Sequence, residues 1–216
     1  MAELKRNKIS KNVIRRLPRY LRKLDELAAE GVERVSSGAL GTLTGLTPSQ
    51  IRQDFSCFGE FGQQGYGYNV ASLREAIAHI LGMDRGYTAI LVGTGRIGQS
   101  LLENFNCARL GLRLLGAFDV RKDLIGTRIH DVTVSDASEL ETFIRANAVD
   151  IAILSTSRAS AQRVAERLAA AGIRSIWNFT EREIDVGDSG VVIESIHFSD
   201  SLLTLTYYLT ESGGLL

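Results

Sequence analysis

A glycine motif near the middle of the chain constrains the fold more than any other feature. The apolar run at residues 89–92 is typical of a buried strand, and it leads directly into Gly-Thr-Gly-Arg-Ile-Gly at 93–98 and then into a segment that favours a helix. A second apolar run ends about twenty residues later at Asp119. This order of strand, G-x-G-x-x-G, helix and acidic residue is typical of a dinucleotide-binding Rossmann domain.

Each residue type in the motif suits the binding of a dinucleotide. Gly93 and Gly95 permit a tight turn and the close approach of backbone N–H groups to a pyrophosphate, while Gly98 lets the helix touch the strand. Asp119 is expected to accept hydrogen bonds from the ribose hydroxyls and to repel a 2′-phosphate, which favours NAD over NADP. Arg121, two residues on, keeps NADP open as an alternative. The other alternative is that the glycines serve only the turn.

Composition limits the classes of protein to consider. The chain has 216 residues, of which 44% are hydrophobic and 23% charged, as expected for one large or two small globular domains. It contains no apolar run as long as a membrane helix, and its basic N-terminus lacks an apolar core, so we expect a cytoplasmic protein without a membrane partner. Two cysteines and three histidines have no ligand spacing, and we expect neither a metal site nor a disulfide.

The charges are unevenly distributed although they sum to zero. Residues 1–80 hold 12 Lys and Arg against 8 Asp and Glu, and residues 81–216 hold 13 against 17. Nine of the cations in the first part precede Leu24. Such a cluster suits the neutralisation of phosphates, although a solvated helix face would also explain it.

The first eighty residues predict a helix-turn-helix. Apolar residues at helical spacing predict a helix over 13–30, or one that begins at Pro18. A second helix is indicated over 37–43, with Ser36 or Ser37 as its N-cap. After a turn at 44–46, a third helix is expected to begin at Thr47, with a proline at its first position and a capping box.

The third helix is the candidate recognition helix. Its apolar residues can face a core while Ser49, Gln50, Arg52 and Gln53 point outward, where arginine could read guanine and glutamine could read adenine. Glycines and aromatic residues over 58–68 then predict a short hairpin, similar to a wing, whose tip is Gln63-Gln64-Gly65. The alternative is a helical hairpin and a linker without a nucleic-acid role.

Strands and helices alternate from residue 87 onward, which indicates a parallel sheet covered on both faces. Strands are predicted at 88–92, 112–118, 151–154, 176–178 and 191–193, and helices at 99–107, 137–147 and 160–171. The last segment, 195–210, is apolar over most of its circumference. Such a helix must be buried, either in its own subunit or, as we prefer, by exchange of terminal helices in a homodimer. The fold class is therefore α/β, with a winged helix-turn-helix domain at 1–82, a Rossmann domain at 86–194 and a dimerisation helix at 195–216.

The chain resembles the Rex family of bacterial redox-sensing transcriptional repressors along nearly its whole length. The motifs that carry the resemblance lie at 16–22, 30–37, 51–59, 65–69, 93–98, 117–120 and 178–180. The resemblance implies a homodimer that exchanges its C-terminal helices, binds palindromic operator DNA through winged heads and binds NAD(H) through Rossmann bodies. It further implies that NADH releases the DNA whereas NAD⁺ permits binding.

The resemblance also implies functional residues. The residues expected to bind the cofactor are Gly93, Thr94, Gly95, Arg96, Ile97, Gly98, Asp119, Thr156, Asn178 and, from the partner copy, Phe198. Those expected to contact DNA are Arg16, Ser49, Gln50, Arg52, Gln53, Gln64 and Gly65.

Three positions implied to form a switch depart from the pattern of the family. Arg22 is retained, but Asn104 stands where a tyrosine is usual and His197 where an aspartate is usual. The ion pair that the family forms between an arginine and this aspartate therefore cannot form here. Gln53 and the glutamines of the wing tip stand where the family tends to carry basic residues. Because fewer cations then neutralise phosphates, weaker DNA binding is expected. A regulator with an altered ligand response is thus one alternative.

An enzyme is the alternative from another class. A small NAD-dependent oxidoreductase needs a proton-transfer group near the nicotinamide. Residues 81–216 hold one lysine, Lys122, and no Tyr-x-x-x-Lys pair, so His197 is the only tempting general acid. We therefore predict that the protein is not an enzyme. A third interpretation is a module that binds coenzyme A or another nucleotide without contacting DNA.

Overall fold

A computed structural model describes residues 9–59, 61–63 and 66–213. Its contacts divide the chain into two compact units, Met1–Arg85 and Gly86–Leu216. The described elements of the first unit are α1 (Lys11–Ala29), β1 (Arg34–Val35), α2 (Ser37–Thr44), α3 (Pro48–Ser56), β2 (Gly62–Gln63), β3 (Gly67–Asn69) and α4 (Val70–Ile80).

Side-chain caps set the starts of these helices. Ser10 caps α1, Ser36 caps α2 and Thr47 caps α3, each by accepting a hydrogen bond from a backbone N–H of the first turn. The start of α1 differs from the alternative that it begins at Pro18, because the helix runs through that proline. Burial of apolar side chains on both sides of Pro18 offsets the hydrogen bond that it cannot donate.

One apolar core joins the helices of the first unit. Its fully buried members include Leu17, Leu24, Leu40, Ile51 and Ile77. Helix α4, which the sequence analysis did not predict, packs against α1 and completes this core. The turn between α2 and α3 uses Gly45 in the left-handed conformation, with φ +64°.

A small antiparallel sheet combines β1, which precedes α2, with β2 and β3, which follow α3. Its strand order is β1-β3-β2, with Val35 opposite Tyr68 and Gln63 opposite Gly67. Gly67 has φ +68°, and a Cβ there would lie 2.7 Å from the carbonyl oxygen of Val35, so this position requires glycine. Gln64 and Gly65, the predicted wing tip, lie outside the described residues.

The second unit is built on a sheet in which six neighbouring strands are parallel. Its elements are β4 (Tyr87–Val92), α5 (Arg96–Asn104), β5 (Leu112–Asp119), β6 (Arg128–Ile129), β7 (Val132–Asp136), α6 (Leu140–Asn147), β8 (Ile151–Leu154), α7 (Arg158–Ala170), β9 (Ser175–Asn178), β10 (Val192–Ser195) and α8 (Phe198–Gly213). The order is β10-β9-β8-β4-β5-β7-β6, and among the described strands of this sheet only β6 pairs antiparallel. This is the Rossmann order, in which the connections reverse direction between β4 and β8.

The sheet has an apolar core on each face. One core joins the sheet to α6 and α7 through residues such as Leu140, Ile144 and Leu168. The other involves Ala89, Leu91 and residues of α5. The sheet therefore has covered faces, as its continuous apolar strands predict.

The final helix, α8, differs from the others in its exposure. Its large apolar side chains are more than half exposed in the single chain, namely Phe198, Leu202, Leu203, Leu205, Tyr207, Tyr208 and Leu209. A helix with this much exposed apolar surface needs a partner to cover it.

Candidate functional site

The glycine loop connects β4 to α5 at the carboxyl edge of the sheet. Gly93 has φ +96°, and a Cβ on it would lie 2.7 Å from the backbone of Ser155. A Cβ on Gly98 would lie 2.1 Å from the carbonyl oxygen of Gly93. Both positions therefore exclude any larger residue for reasons of packing.

Packing within the protein does not require glycine at position 95. Nothing lies within 4 Å of where its Cβ would be, and its φ of −67° is open to any residue. Gly95 is also the N-cap of α5 and offers no side-chain cap to the N–H groups of the first turn. Open space beside uncapped N–H groups at a helix N-terminus fits the approach of a pyrophosphate.

Asp119 ties the glycine loop to β5. Its Oδ2 accepts hydrogen bonds from the backbone N–H and the hydroxyl of Thr94, at 2.6 and 2.8 Å, and its Oδ1 accepts one from the backbone N–H of Arg121 at 2.9 Å. Burial alone would raise the pKa of this carboxyl, but the hydrogen bonds from Thr94 and Arg121 hold it below its usual value. Asp119 is only 8% exposed. The residue expected to hold the ribose thus already holds the loop that would surround the pyrophosphate.

Arg121 is paired within the protein. Its guanidinium donates to the carboxylate of Asp123, with one contact at 2.5 Å, and both side chains are exposed. This pair raises the pKa of the Arg121 guanidinium. The neighbouring anion reduces the attraction of Arg121 for a 2′-phosphate.

The crevice between β4 and β8 lies beside the glycine loop. The hydroxyl of Ser155, just after β8, donates to the carbonyl oxygen of Gly93 at 2.7 Å. Among buried side-chain polar atoms of the described residues, Thr156 Oγ1 lacks a hydrogen-bond partner. An unpaired buried hydroxyl is costly unless a ligand or water pairs with it. Its position at the reversal of strand order fits a nucleotide bound in this crevice.

Asn178 differs from its expected role. Its amide nitrogen donates to the carbonyl oxygen of Arg182 and to the hydroxyl of Ser195, and its amide oxygen accepts from the N–H and the hydroxyl of Thr180. An amide side chain offers two donors and two acceptor positions, so all four are in use. Asn178 therefore orders the loop after β9, and its side chain has no polar position left for a ligand.

The start of α8 is fixed to that same loop. Glu181 accepts a hydrogen bond from the N–H of Phe198 at 3.0 Å, and His197 Nε2 lies 3.0 Å from a carboxylate oxygen of Glu183. The ring of Phe198 lies 6.5 Å from that of Phe179 and is 54% exposed. His197 thus lies between carboxylates of its own unit.

The other two predicted switch residues are exposed. Arg22 lies on α1 in the first unit. Asn104 donates to the carbonyl oxygen of Ser100 at 3.1 Å within α5. Asn104 and His197 therefore both have polar partners within the second unit.

The candidate recognition helix exposes part of the predicted set. Ser49, Arg52 and Gln53 are exposed, and Arg52 donates to the hydroxyl of Ser37 at 3.1 Å. Ile51 and Phe55 are buried as predicted. These three polar side chains are available for contact with DNA.

Arg16 and Gln50 differ from the prediction that they point toward DNA. Arg16 makes two hydrogen bonds to the carboxylate of Asp54, at 2.6 and 2.7 Å, and Gln50 donates to it at 2.8 Å. The hydroxyl of Tyr20 donates to it as well, at 2.7 Å. The physical reason is that Asp54 is completely buried, so its charge requires partners inside the protein. We call these four residues the Asp54 cluster.

The described residues contain neither a candidate membrane span nor a cluster of metal-ligating side chains. None of the helices within residues 9–59, 61–63 and 66–213 combines the length and the hydropathy that a membrane span requires. Within the same ranges, no group of three or more His, Cys, Asp or Glu side chains is arranged to hold a metal ion.

Comparison with known proteins identifies the family. A family model described as "Putative DNA-binding protein N-terminus" matches residues 8–56, and one described as "CoA binding domain" matches residues 84–182. The redox-sensing transcriptional repressor Rex of Clostridium beijerinckii is 48% identical over 96% of this chain and 98% of its own. The chain belongs to the Rex family. Rex of Thermoanaerobacter pseudethanolicus is 46% identical over 96% of this chain and 92% of its own.

Solved structures of a Rex-family repressor agree with this assignment. The structure of RSP in complex with β-NAD⁺ and operator DNA has a TM-score of 0.88 and 45% identity, and covers 96% of this chain and 95% of its own. RSP in complex with β-NADH has a TM-score of 0.89 and 42% identity, and covers 97% and 98%. The predicted family and fold class, a winged helix-turn-helix with a Rossmann sheet, are confirmed.

The residues that the sequence analysis missed belong to the Asp54 cluster. The sequence does contain a signal for it, because Arg16 and Tyr20 are four residues apart on α1, and so are Gln50 and Asp54 on α3. The pattern could not predict the burial of Asp54, because an aspartate on a short helix with polar residues such as Gln50 and Gln53 is usually solvated.

Proposed function

We propose that this protein is an NAD(H)-responsive repressor that binds operator DNA and releases it when NADH is bound. The single observation that carries the proposal is the presence, in one chain, of a helix-turn-helix with an exposed polar face and a Rossmann glycine loop open at Gly95. The relatives support it, because RSP has been solved with β-NAD⁺ and operator DNA and with β-NADH.

The proposed cofactor site is the carboxyl edge of the sheet. Backbone N–H groups of residues 93–98 bind the pyrophosphate, Asp119 positions the loop and contacts the ribose, and Thr156 pairs its unpartnered hydroxyl with the ligand. Phe198, from the exchanged α8 of the second copy, covers the nicotinamide end. Asn178 acts indirectly, through the order of its loop.

The proposed DNA surface consists of Ser49, Arg52 and Gln53 on α3, together with the wing. Two copies are needed to read a palindrome, and the exposed apolar side chains of α8 supply a surface for a homodimer. In this proposal residues 1–82 bind DNA, residues 86–194 bind NAD(H), and residues 195–216 are exchanged between the two copies.

The family consists of regulators, and we propose that this member is likewise not an enzyme. His197, the only tempting general acid, is engaged with Glu183 in the structure. A repressor acts where its operator lies, so the proposed location is the cytoplasm.

A regulator with an altered ligand response is the second candidate. It is favoured by His197 and Asn104, since neither supplies the carboxylate or phenol usual at those positions. The response to NADH would then be smaller, because the differential contacts between the two states are fewer.

Isothermal calorimetry with NADH, NAD⁺ and coenzyme A separates the proposals for the second unit. We expect binding of NADH and NAD⁺ and none of coenzyme A. Coenzyme A is included because the matching family model covers residues 84–182. Preference for coenzyme A over both nicotinamide forms would overturn the proposed cofactor.

A further inference from the structure

We propose that Asp54 is a positioning residue for DNA recognition, which fixes the recognition helix α3 on α1 in the one register that presents Ser49, Arg52 and Gln53 to the bases. The inference rests on the proposed function, since it assumes that α3 reads DNA. It concerns a residue that touches no DNA and acts only through its hydrogen bonds.

Packing also holds helix α3, which lies against α2 and whose Phe55 makes edge contacts with Tyr20 and Tyr68. The helix is nine residues long, and its buried apolar side chains are Ile51 and Phe55. Apolar contact is non-directional, so it constrains the rotation of the helix and its position along its axis less sharply than hydrogen bonds do. Base readout, in contrast, requires donor and acceptor to meet within the narrow geometry of a hydrogen bond.

The Asp54 cluster adds directional contacts between α3 and α1. Arg16 and Tyr20 donate to Asp54 from α1, which lies 34–38 residues earlier in the chain, at distances of 2.6–2.7 Å. The contact of Arg16 is bidentate, and such a pair tolerates little displacement. Because Asp54 is 0% exposed, displacement of α3 would leave a buried charge without its partners, which is costly.

The protonation states agree with a permanent contact. Burial raises the pKa of the Tyr20 hydroxyl above its usual value, and its hydrogen bond to Asp54 raises it further. Although burial would raise the pKa of Asp54, hydrogen bonds from Arg16, Tyr20 and Gln50 keep it below its usual value. At neutral pH the cluster therefore contains an ionised carboxylate and an intact phenol donor.

A consequence concerns which residues read DNA. Gln50 donates a hydrogen bond to Asp54 and belongs to the Asp54 cluster. Fewer side chains of α3 are therefore available to contact bases than the sequence predicts. Buried ion pairs are weak contributors to stability but can fix one arrangement among several. The inference therefore predicts a loss of specificity that is separable from a loss of stability.

The test compares affinity for a selected operator with affinity for random duplex, using the full chain. The operator is obtained by repeated selection of wild-type-bound sequences from a pool of random duplexes. The decisive variant is Arg16→Met with Asp54→Leu, which replaces the buried pair by apolar side chains and so preserves packing. We expect the ratio of operator to random affinity to fall at least tenfold in a variant that remains folded, with random-duplex affinity within threefold. Thermal stability should fall somewhat, because the buried Tyr20 hydroxyl loses its acceptor.

A matched control is Asp25→Asn. Asp25 also forms an ion pair from α1, to Arg74 on α4 at 2.5 Å, and does not involve α3. We expect its affinity ratio to equal that of the wild type. An equal fall in Asp25→Asn and the double variant would indicate general loosening of the unit and would overturn the inference.

Other outcomes are equally clear. A double variant that keeps the wild-type ratio overturns the positioning role, and one that loses random-duplex affinity in parallel shows that Arg16 contacts phosphate instead.

If the double variant does not fold, Arg16→Lys decides, because it keeps the charge and removes the bidentate contact. We then expect at least a threefold fall in the ratio, and an unchanged ratio contradicts the inference. Failure of the wild type to enrich any sequence would instead count against the proposed function.

Discussion

At the scale of single residues, three glycines of one loop have different reasons to be glycine. Gly93 and Gly98 are required by packing, whereas space is open around Gly95. The sequence motif predicted all three, because spacing and context identify the loop. It could not predict which glycine is required by packing within the protein and which leaves room for a ligand, since that depends on the neighbours in space.

The pair Gly95→Ala and Gly98→Ala separates these reasons. In Gly98→Ala the new methyl would meet the carbonyl of Gly93, so we expect a loss of at least about 2 kcal/mol of stability. In Gly95→Ala the methyl enters open space, so stability should stay within about 0.5 kcal/mol of the wild type. NADH affinity should nevertheless fall at least tenfold. Urea unfolding and calorimetry measure both, and unchanged affinity in Gly95→Ala would remove the pyrophosphate from this place.

Asp119 gives a prediction about pH. Its folded-state pKa lies below the unfolded value, so its contribution is fully present above about pH 4 and is lost as pH falls through the folded value. Asp119→Asn should therefore lower the free energy of unfolding at pH 7 by about 1–3 kcal/mol, and this difference should shrink in acid.

The control for Asp119→Asn is Asp131→Asn. Asp131 lies on the same unit with a fully exposed side chain, 3.7 Å from Arg128. We expect its stability to match the wild type from pH 7 to pH 3.5. A difference between Asp119→Asn and the wild type that grows toward acid would contradict the proposed hydrogen bonding.

At the scale of elements, the sequence predicted those strands and helices whose hydrophobic residues follow a strong pattern. Strands β4, β5 and β8 were predicted close to their bounds because they are apolar and buried. Strands β6 and β7 were missed, since the first has two residues and the second is largely polar. Helix α1 was open to two interpretations because the cost of Pro18 depends on tertiary packing, which the sequence does not display.

The contact of α2 with α3 gives a matched pair of variants on one helix. A Cβ on Gly41 would lie 2.6 Å from the carbonyl oxygen of Leu46, so Gly41→Ala should force α2 and α3 apart. Gly38, on the same helix, has Ser36 Oγ at 3.6 Å as its nearest neighbour. Gly38→Ala should stabilise the helix by about 0.5–1 kcal/mol, because alanine loses less backbone entropy than glycine. Thermal unfolding tests both, and equal melting temperatures for the two variants would contradict the close contact.

At the scale of the whole molecule, α8 is the helix through which one chain is proposed to form a dimer with a second copy. Its exposed apolar side chains are not explained by packing within one chain. The sequence predicted this helix and its need for burial, since apolar residues cover most of its circumference. It could not decide between burial in its own subunit and exchange with a second copy.

Leu205→Asp tests the assembly. Leu205 is 54% exposed in the single chain, and a charge at a buried dimer contact would be costly. We expect sedimentation analysis to show a dimer for the wild type and a shift to monomer for Leu205→Asp. Ser201→Asp, at an exposed polar position of the same helix, should remain a dimer. A dimeric Leu205→Asp variant would place the interface elsewhere.

The measurement that tests the central claim most directly is binding of the wild-type protein to its selected operator, titrated separately with NAD⁺ and NADH at fixed salt. We predict that the complex persists with NAD⁺ and dissociates as NADH saturates the protein, since NADH favours the state that releases DNA. Equal operator affinity with saturating NAD⁺ and NADH would contradict the account.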